Sequence, residues 1–297
     1  MLTVVGTVPD KDFPLVHGEV GLEKDHIRVG KITVPVNRGT PALLAAALRT
    51  GEVLNLPSPS AYLVGDIGQG HGSRRLYEDM VRHVGKSRAR VIVFHYLQPD
   101  VDWHNKVLFA LEKMNPRPTL IADAGFMYAA KMSGLSEAYE LFTPDAGELA
   151  FLADEEAPHP FYTRGFILHE DNLIPDLINR AYKHKNAARY LLVKGGRDHV
   201  ASKDGIHAVI DRPVNEALEA IGGTGDSLTG IVSALIASGT ETVEAAVLAA
   251  RINRSAGYLA DPTPASQVMD IINHIHGAMD EVLKFVPSDR FRVQTAG

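Results

Sequence analysis

Apolar residues recur along this chain in two rhythms, short unbroken runs and stripes spaced three to four apart. The runs Ala61–Val64, Arg90–Phe94, Thr119–Ala122, Leu141–Thr143 and Tyr190–Val193 have the length and β-branched character of buried strands. The stripes predict helices, the clearest being Leu228, Ile231, Val232, Leu235 and Ile236, which line one face of a 3.6-residue period. Others are Val107, Leu108, Leu111 and Met114; Leu173, Ile174, Leu177, Ile178, Ala181 and Tyr182; and the segments Arg74–Val84, Val243–Leu259 and Val268–Leu283. Thr40 as N-cap with Pro41 at the first helical position starts a helix from Ala42 to Arg49, closed by Gly51. Pro144-Asp145-Ala146-Gly147-Glu148 opens a short helix through Leu152. Val200–Ser202 and Ile206–Ile210 form a hairpin across Asp204-Gly205. Thr3-Val4-Val5 and Ile27–Val34 read as strands or an edge ribbon, and Ala157–Gly165 as a Pro- and aromatic-bearing connection.

Strands alternating with helices give an α/β fold, a mostly parallel sheet with helices on both faces. Ligands of such sheets sit outside the carboxyl ends of the strands. The loops after Val64, Ala122, Thr143 and Val193 are therefore expected to share one rim, which brings in Asp123. No repeat or linker interrupts the pattern, so a single domain over 1–297 is expected, with 1–34 as an edge-strand extension.

At 297 residues, 45% hydrophobic and 22% charged, the chain suits a soluble globular protein with a sizeable core. The net charge of −6 argues against a broad nucleic-acid surface. The absence of cysteine excludes disulfides, thiol nucleophiles and thiolate metal sites. No signal peptide is visible in Met1–Pro14, and no apolar stretch is long enough to span a bilayer. A cytoplasmic protein without a membrane partner is expected, and a homo-oligomer stays open.

The candidate chemistry gathers at helix starts. Gly222-Gly223-Thr224-Gly225-Asp226 runs straight into the Leu228 helix. Glycines permit positive φ and close backbone approach, and the unpaired N–H groups of a helix start attract an anion. Asp226 is a carboxylate where those fields suit a phosphate, either a helix cap or a base aimed beside that phosphate. Asp145 and Glu148 stand at i and i+3, placed to share a hydrated Mg²⁺ or to serve the helix dipole. Lys194, at a strand end before Gly195-Gly196, could meet a phosphate or simply face solvent. Gly65-Asp66-Ile67-Gly68-Gln69-Gly70 reads as a ligand loop or a flexible turn, and lacks both the dinucleotide and the Gly-Lys-Ser/Thr spacings.

Taken in order, Thr143-Pro144-x-x-x-Glu148, Val193-Lys194-Gly195 and Gly223-Thr224-Gly225-Asp226 resemble the ribokinase-like superfamily of small-molecule kinases. The form Gly-Gly-Thr-Gly-Asp-x-Leu-x-Gly is most similar to the ADP- or ATP-dependent NAD(P)H-hydrate dehydratases. The resemblance spans roughly residues 36–275, with its specific motifs between 141 and 239. It implies that Asp226 is the catalytic base and that Gly223, Thr224 and Gly225 form an anion hole. It also implies that Lys194, Gly195 and Asn253 meet an adenine nucleotide, ADP or ATP, and that Glu148 and Asp145 place Mg²⁺. Arg38, Gly39, Thr40, Gly65, Asp66, Gly68 and Asp123 are the substrate-side candidates. Asp145 stands where sugar kinases carry Asn and the dehydratases His, and Ala146-Gly147-Glu148 replaces their Pro-Gly-Glu. The vitamin-precursor kinases share the Val-Lys-Gly-Gly strand end but carry Cys in place of Asp226.

The expected function is ADP- or ATP-dependent phosphoryl transfer to a small-molecule hydroxyl. Repair of hydrated NAD(P)H leads, with a sugar or alcohol kinase and a non-catalytic nucleotide-binding regulator as alternatives. The grouping His95, Asp100, Asp102 and His104 lacks a metal-motif spacing. Ser227 lacks the last glycine of a nucleophile elbow. The sequon Asn253-Arg254-Ser255 falls inside a predicted helix and carries no weight.

Overall fold

The computed structural model describes residues 1–155 and 173–284; the expected connection Ala157–Gly165 lies outside them. The chain divides into two compact units, residues 4–15 with 62–211 and residues 1–3 with 16–61 and 212–297.

The first of these units is built on a sheet. Its strands are β1 (Leu2–Val8, almost all of it here), β5 (Ser60–Gly65, from Tyr62 on), β6 (Val91–His95), β7 (Thr119–Ala122), β8 (Leu141–Phe142), β9 (Tyr190–Val193), β10 (Asp198–Ser202) and β11 (Gly205–Ile210). They lie in the order β11-β10-β9-β8-β7-β6-β1-β5. From β6 to β9 neighbours run parallel, and β10 and β11 turn back antiparallel as the expected hairpin. Helices α2 (His71–His83), α3 (Val101–Glu112), α4 (Gly125–Met132), α5 (Ala146–Ala153) and α6 (Ile174–Lys183) flank it.

Strand alternation explains the core. Ile92, Phe94, Leu120, Ala122, Leu191 and Val193 join one cluster with Leu76, Tyr77, Val107, Leu111, Phe126, Leu149 and Ile178 from the helices. Val91, Val93, Ile121 and Leu192 lie outside that cluster and are buried as well. Strands buried on both faces read as continuous apolar runs, which is why these five short runs were legible.

The second unit holds an antiparallel ribbon, β2 (Val16–Glu23), β3 (His26–Val29) and β4 (Ile32–Pro35). With it are α1 (Thr40–Val53), α7 (Thr224–Ala237), α8 (Thr242–Leu259), α9 (Val268–Ile272) and α10 (Ile275–Leu283). Helices α1 and α7 pack so closely that a Cβ on Gly230 would stand 2.2 Å from Leu43 O.

Several expectations are corrected. β1 is a central, wholly buried strand between β6 and β5, not an edge. The run Ile27–Val34 is two strands, because Gly30 at φ 60° turns the chain between Val29 and Ile32. β2 and α4 have no counterpart in the sequence reading; glycines at 18 and 21 interrupt the alternation of the one, and the other is only eight residues long. The helix expected over Val268–Leu283 breaks at Asn273–His274. There the His274 ring bonds Asp270 O, and its N–H turns to Ile271 O instead. Helix α1 is capped by Gly39, not Thr40, and runs through Gly51 to Val53.

Candidate active site

At the start of α7, Gly223 holds φ 104°, and Gly225 is the second helical residue. Gly223 thus occupies backbone open mainly to glycine, whereas Gly225 has ordinary helical backbone. The Asp226 carboxylate lies in the first turn of α7. It is 7% exposed, and its Oδ2 accepts the Gly39 N–H at 2.6 Å. Gly39, at φ 70°, is the N-cap of α1, so one carboxylate serves the entrances of two helices. Ser227 N–H is paired with Gly223 O; amides earlier in a helix have no intrahelical acceptor.

Asn253, expected at the nucleotide, is engaged by this same turn. Its Oδ1 accepts from Ser227 Oγ at 2.6 Å, and its Nδ2 donates to Thr224 O at 3.1 Å. Ser227 is thus a clamp of the first turn. Arg38 is exposed, and Thr40 is buried within the first turn of α1.

In the sheet unit the loops after β7, β8 and β9 meet as expected. Lys194 Nζ donates to both Asp123 oxygens at 2.9 Å. Lys194 N–H bonds Pro144 O, and Asp145 and Lys194 form a parallel bridge. Asp123 is nearly inaccessible and also accepts its neighbour Ala124 N–H. Buried His95 places Nε2 at 3.7 Å from Asp123 Oδ2. Gly195 N–H turns inward to Asp198.

Asp145 and Glu148 form a reciprocal capping box at the start of α5: Glu148 N–H donates to Asp145 Oδ1, and Asp145 N–H to Glu148 Oε2. The Glu148 carboxyl is pushed up to about 8 by loss of hydration and by Asp145, with Lys194 opposing and Asp123 adding to the rise. Among the described residues, no group of three or more His, Cys, Asp or Glu could by itself hold a metal ion. The grouping His95, Asp100, Asp102 and His104 is dispersed. Asp100 caps α3, while His104 is buried against Tyr139 Oη at 2.9 Å.

Asp66 is consumed by its own loop. Its Oδ1 accepts from Gly68, Gln69 and Gly70 N–H, and its Oδ2 from Ser73 N–H and Oγ. Burial opposes ionisation, but these donors hold the carboxyl below its ordinary value. A Cβ on Gly65 would stand 1.9 Å from Asp10 O, so Gly65 serves close backbone packing, while Gly68 and Gly70 hold φ 91° and 79°.

A family model of NAD(P)H-hydrate dehydratases matches residues 97–275, more than half of the chain. The chain belongs to that family. The dehydratase match takes in Asp123, Asp145, Glu148, Lys194, Asn253 and the 223–226 turn, and leaves out Arg38–Thr40 and the loop at 65–70. An uncharacterized protein of Methanocaldococcus jannaschii is 41% identical over 243 residues, covering 82% of this chain and all of that protein. The bifunctional NAD(P)H-hydrate repair enzyme Nnr of Pyrobaculum aerophilum is 26% identical over 231 residues. That alignment covers 74% of this chain and 43% of the repair enzyme's length. Among solved structures, Staphylococcus aureus pyridoxal kinase with ADP superposes at a TM-score of 0.55 with 14% identity, covering 86% of this chain and 88% of that one. Escherichia coli phosphofructokinase-2 with potassium gives the same score and identity, covering 94% and 99%. These likenesses establish the ribokinase-like fold, and this dehydratase-family chain is an enzyme of that type.

Two contacts, one in each unit, have no counterpart in the sequence pattern: the Gly39–Asp226 bond and the pairing of Lys194 with Asp123. A glycine immediately before Thr40-Pro41 was the only trace of the first. The second joins residues 71 positions apart.

Proposed function

We propose that this protein catalyses ADP- or ATP-dependent phosphoryl transfer to the hydroxyl of hydrated NAD(P)H, followed by loss of phosphate that restores the dihydronicotinamide. The observation that carries the reading is the Asp226 carboxylate, buried and oriented by Gly39 N–H beside the first amides of α7, in a chain of this family. Asp226 takes the hydroxyl proton as the oxygen attacks the terminal phosphorus. The bond from that phosphorus to the nucleotide breaks, and AMP or ADP leaves. Elimination then expels phosphate and one proton from the ring. The backbone at 223–225 receives the charge gathering on the phosphoryl oxygens, the usual work of aimed N–H donors.

Asp145 and Glu148 fit a hydrated divalent ion. They supply oxygen ligands alone, and the negative charge of Asp145, which adds to burial in raising Glu148, is what a cation relieves. Mg²⁺ held there would be the divalent ion of the phosphoryl transfer. Lys194, the cation of the β9 end, is a charge fixed by its tie to Asp123, which supports a role in holding the nucleotide. The cysteine-free chain suits a cytoplasmic enzyme.

The test is an assay of hydrated NADH with ADP and with ATP, following absorbance recovery and phosphate release. Recovery supports repair. Phosphorylation of a sugar or alcohol panel without recovery would make the protein a kinase, and nucleotide binding without any turnover a regulator.

A further inference from the structure

Tyr96 follows β6 with φ 54°. For a bulky side chain this left-handed backbone is a true outlier and stores strain. The strain is held in place: buried Thr7 Oγ1 donates to Tyr96 O at 2.7 Å. The flanking chain is fixed as well. Leu97 O sits where a Cβ on Gly125 would approach within 2.1 Å, and Asp123 N–H bonds Phe94 O. The result is an aromatic residue kept 40% exposed at the carboxyl end of a strand. Its ring stands nearly perpendicular to buried His95, at 4.5 Å between centroids and 80° between planes. His95 in turn faces Asp123.

The backbone is thus held in a strained conformation with the ring part-exposed at the end of the strand. We infer that Tyr96 is a binding wall for a planar heteroaromatic ring of the substrate, the reduced nicotinamide ring on the reading proposed above. The inference deepens that reading and rests on it for the identity of the ring. Stacking on an aromatic side chain shifts binding by roughly tenfold.

The experiment titrates the full-length protein with NADH by its fluorescence, which needs no turnover, beside the hydrated-NADH assay and thermal melting. Tyr96→Leu and Tyr96→Gly should each weaken NADH binding, and raise KM for hydrated NADH, by about tenfold, with the nucleotide KM unmoved. Tyr96→Phe should recover most of the loss, because the ring is kept. Tyr96→Gly should melt at or above the wild-type temperature, since glycine accepts φ 54° without strain. Unchanged NADH binding in the folded Leu and Gly variants would overturn the inference. So would a Gly variant that binds NADH normally but melts well below wild type. Tenfold weaker NADH binding in a protein that never repairs hydrated NADH would sink the repair reading and keep Tyr96. Repair that ignores all three substitutions would do the reverse.

Discussion

Gly39 N–H and Asp226 Oδ2 lie 2.6 Å apart, so the entrance of α1 holds the carboxylate at the entrance of α7. A short charge-assisted bond of this kind fixes orientation. It ties Asp226 to the backbone of another helix.

Asp226→Asn keeps an oxygen for the Gly39 N–H and removes the proton acceptor. Turnover should fall ~10²–10⁴-fold, the usual worth of a positioned base, while nucleotide affinity and melting temperature stay close to wild type. Steady-state kinetics and calorimetric titration of ADP and ATP check this. Ordinary turnover in the folded variant would remove Asp226 from the chemistry.

Glu148→Gln should raise the divalent-ion concentration needed for half-maximal activity more than it alters nucleotide affinity. The Gln carbonyl can still accept Asp145 N–H, and Asp145 still accepts the backbone N–H of residue 148, so both bonds of the capping box can be kept and stability should drop by no more than about 1 kcal/mol. A magnesium titration of activity, read beside a melting curve, separates metal placement from helix capping. Full activity in excess chelator would contradict the metal role.

The two glycines of the turn should behave in opposite ways. At Gly223 a Cβ meets Val268 at 3.1 Å and positive φ, so Gly223→Ala should cost about 1–3 kcal/mol and disturb the amides beyond it. If those amides hold the phosphoryl group, turnover should fall ~10²–10³-fold. Gly225 is helical, so Gly225→Ala should gain up to about 1 kcal/mol of helix propensity, and any loss of activity there reports crowding of the ligand. Chemical denaturation and kcat on both variants decide. Normal turnover per folded Gly223→Ala molecule would leave the turn a mere helix start.

Gly230→Ala tests the packing beneath the site. Its Cβ would fall 2.2 Å from Leu43 O and 3.0 Å from Ala46 Cβ; overpacking of this kind costs about 1–3 kcal/mol or more. Because α1 must move, the Gly39–Asp226 bond should loosen, and turnover should fall with stability. A melting temperature equal to wild type would show that the helices separate freely.

His104 carries a pH dependence. Burial lowers its pKa below the ordinary 6.5, only partly offset by Asn105, so the native state holds it neutral. As pH falls below 6.5 the unfolded chain binds the proton first, and stability declines until the lower native pKa is passed. Melting temperature should therefore drop through mildly acid pH, and His104→Gln should flatten that slope. An unchanged slope in the variant would place the acid sensitivity elsewhere.

The sequence by itself determined the strands β5 to β9, the hairpin after them, the helices α3 and α5 to α8 and the motif residues Asp226, Glu148, Asp145 and Lys194. Each is written in local periodicity, or in a turn whose chemistry needs particular residues at fixed spacing. Tertiary structure decided the rest, because it depends on partners distant in the chain. β1 reads alone as a short apolar run, and only its neighbours β6 and β5 make it central. Asp66 looks like a ligand group until five donors from its own loop converge on it. Asn253 and Ser227 are ordinary polar residues until α8 crosses α7. Gly39 and Asp226 are 187 positions apart; no local pattern records that pairing, since the amide–carboxylate bond forms only where two helices bring their first turns together.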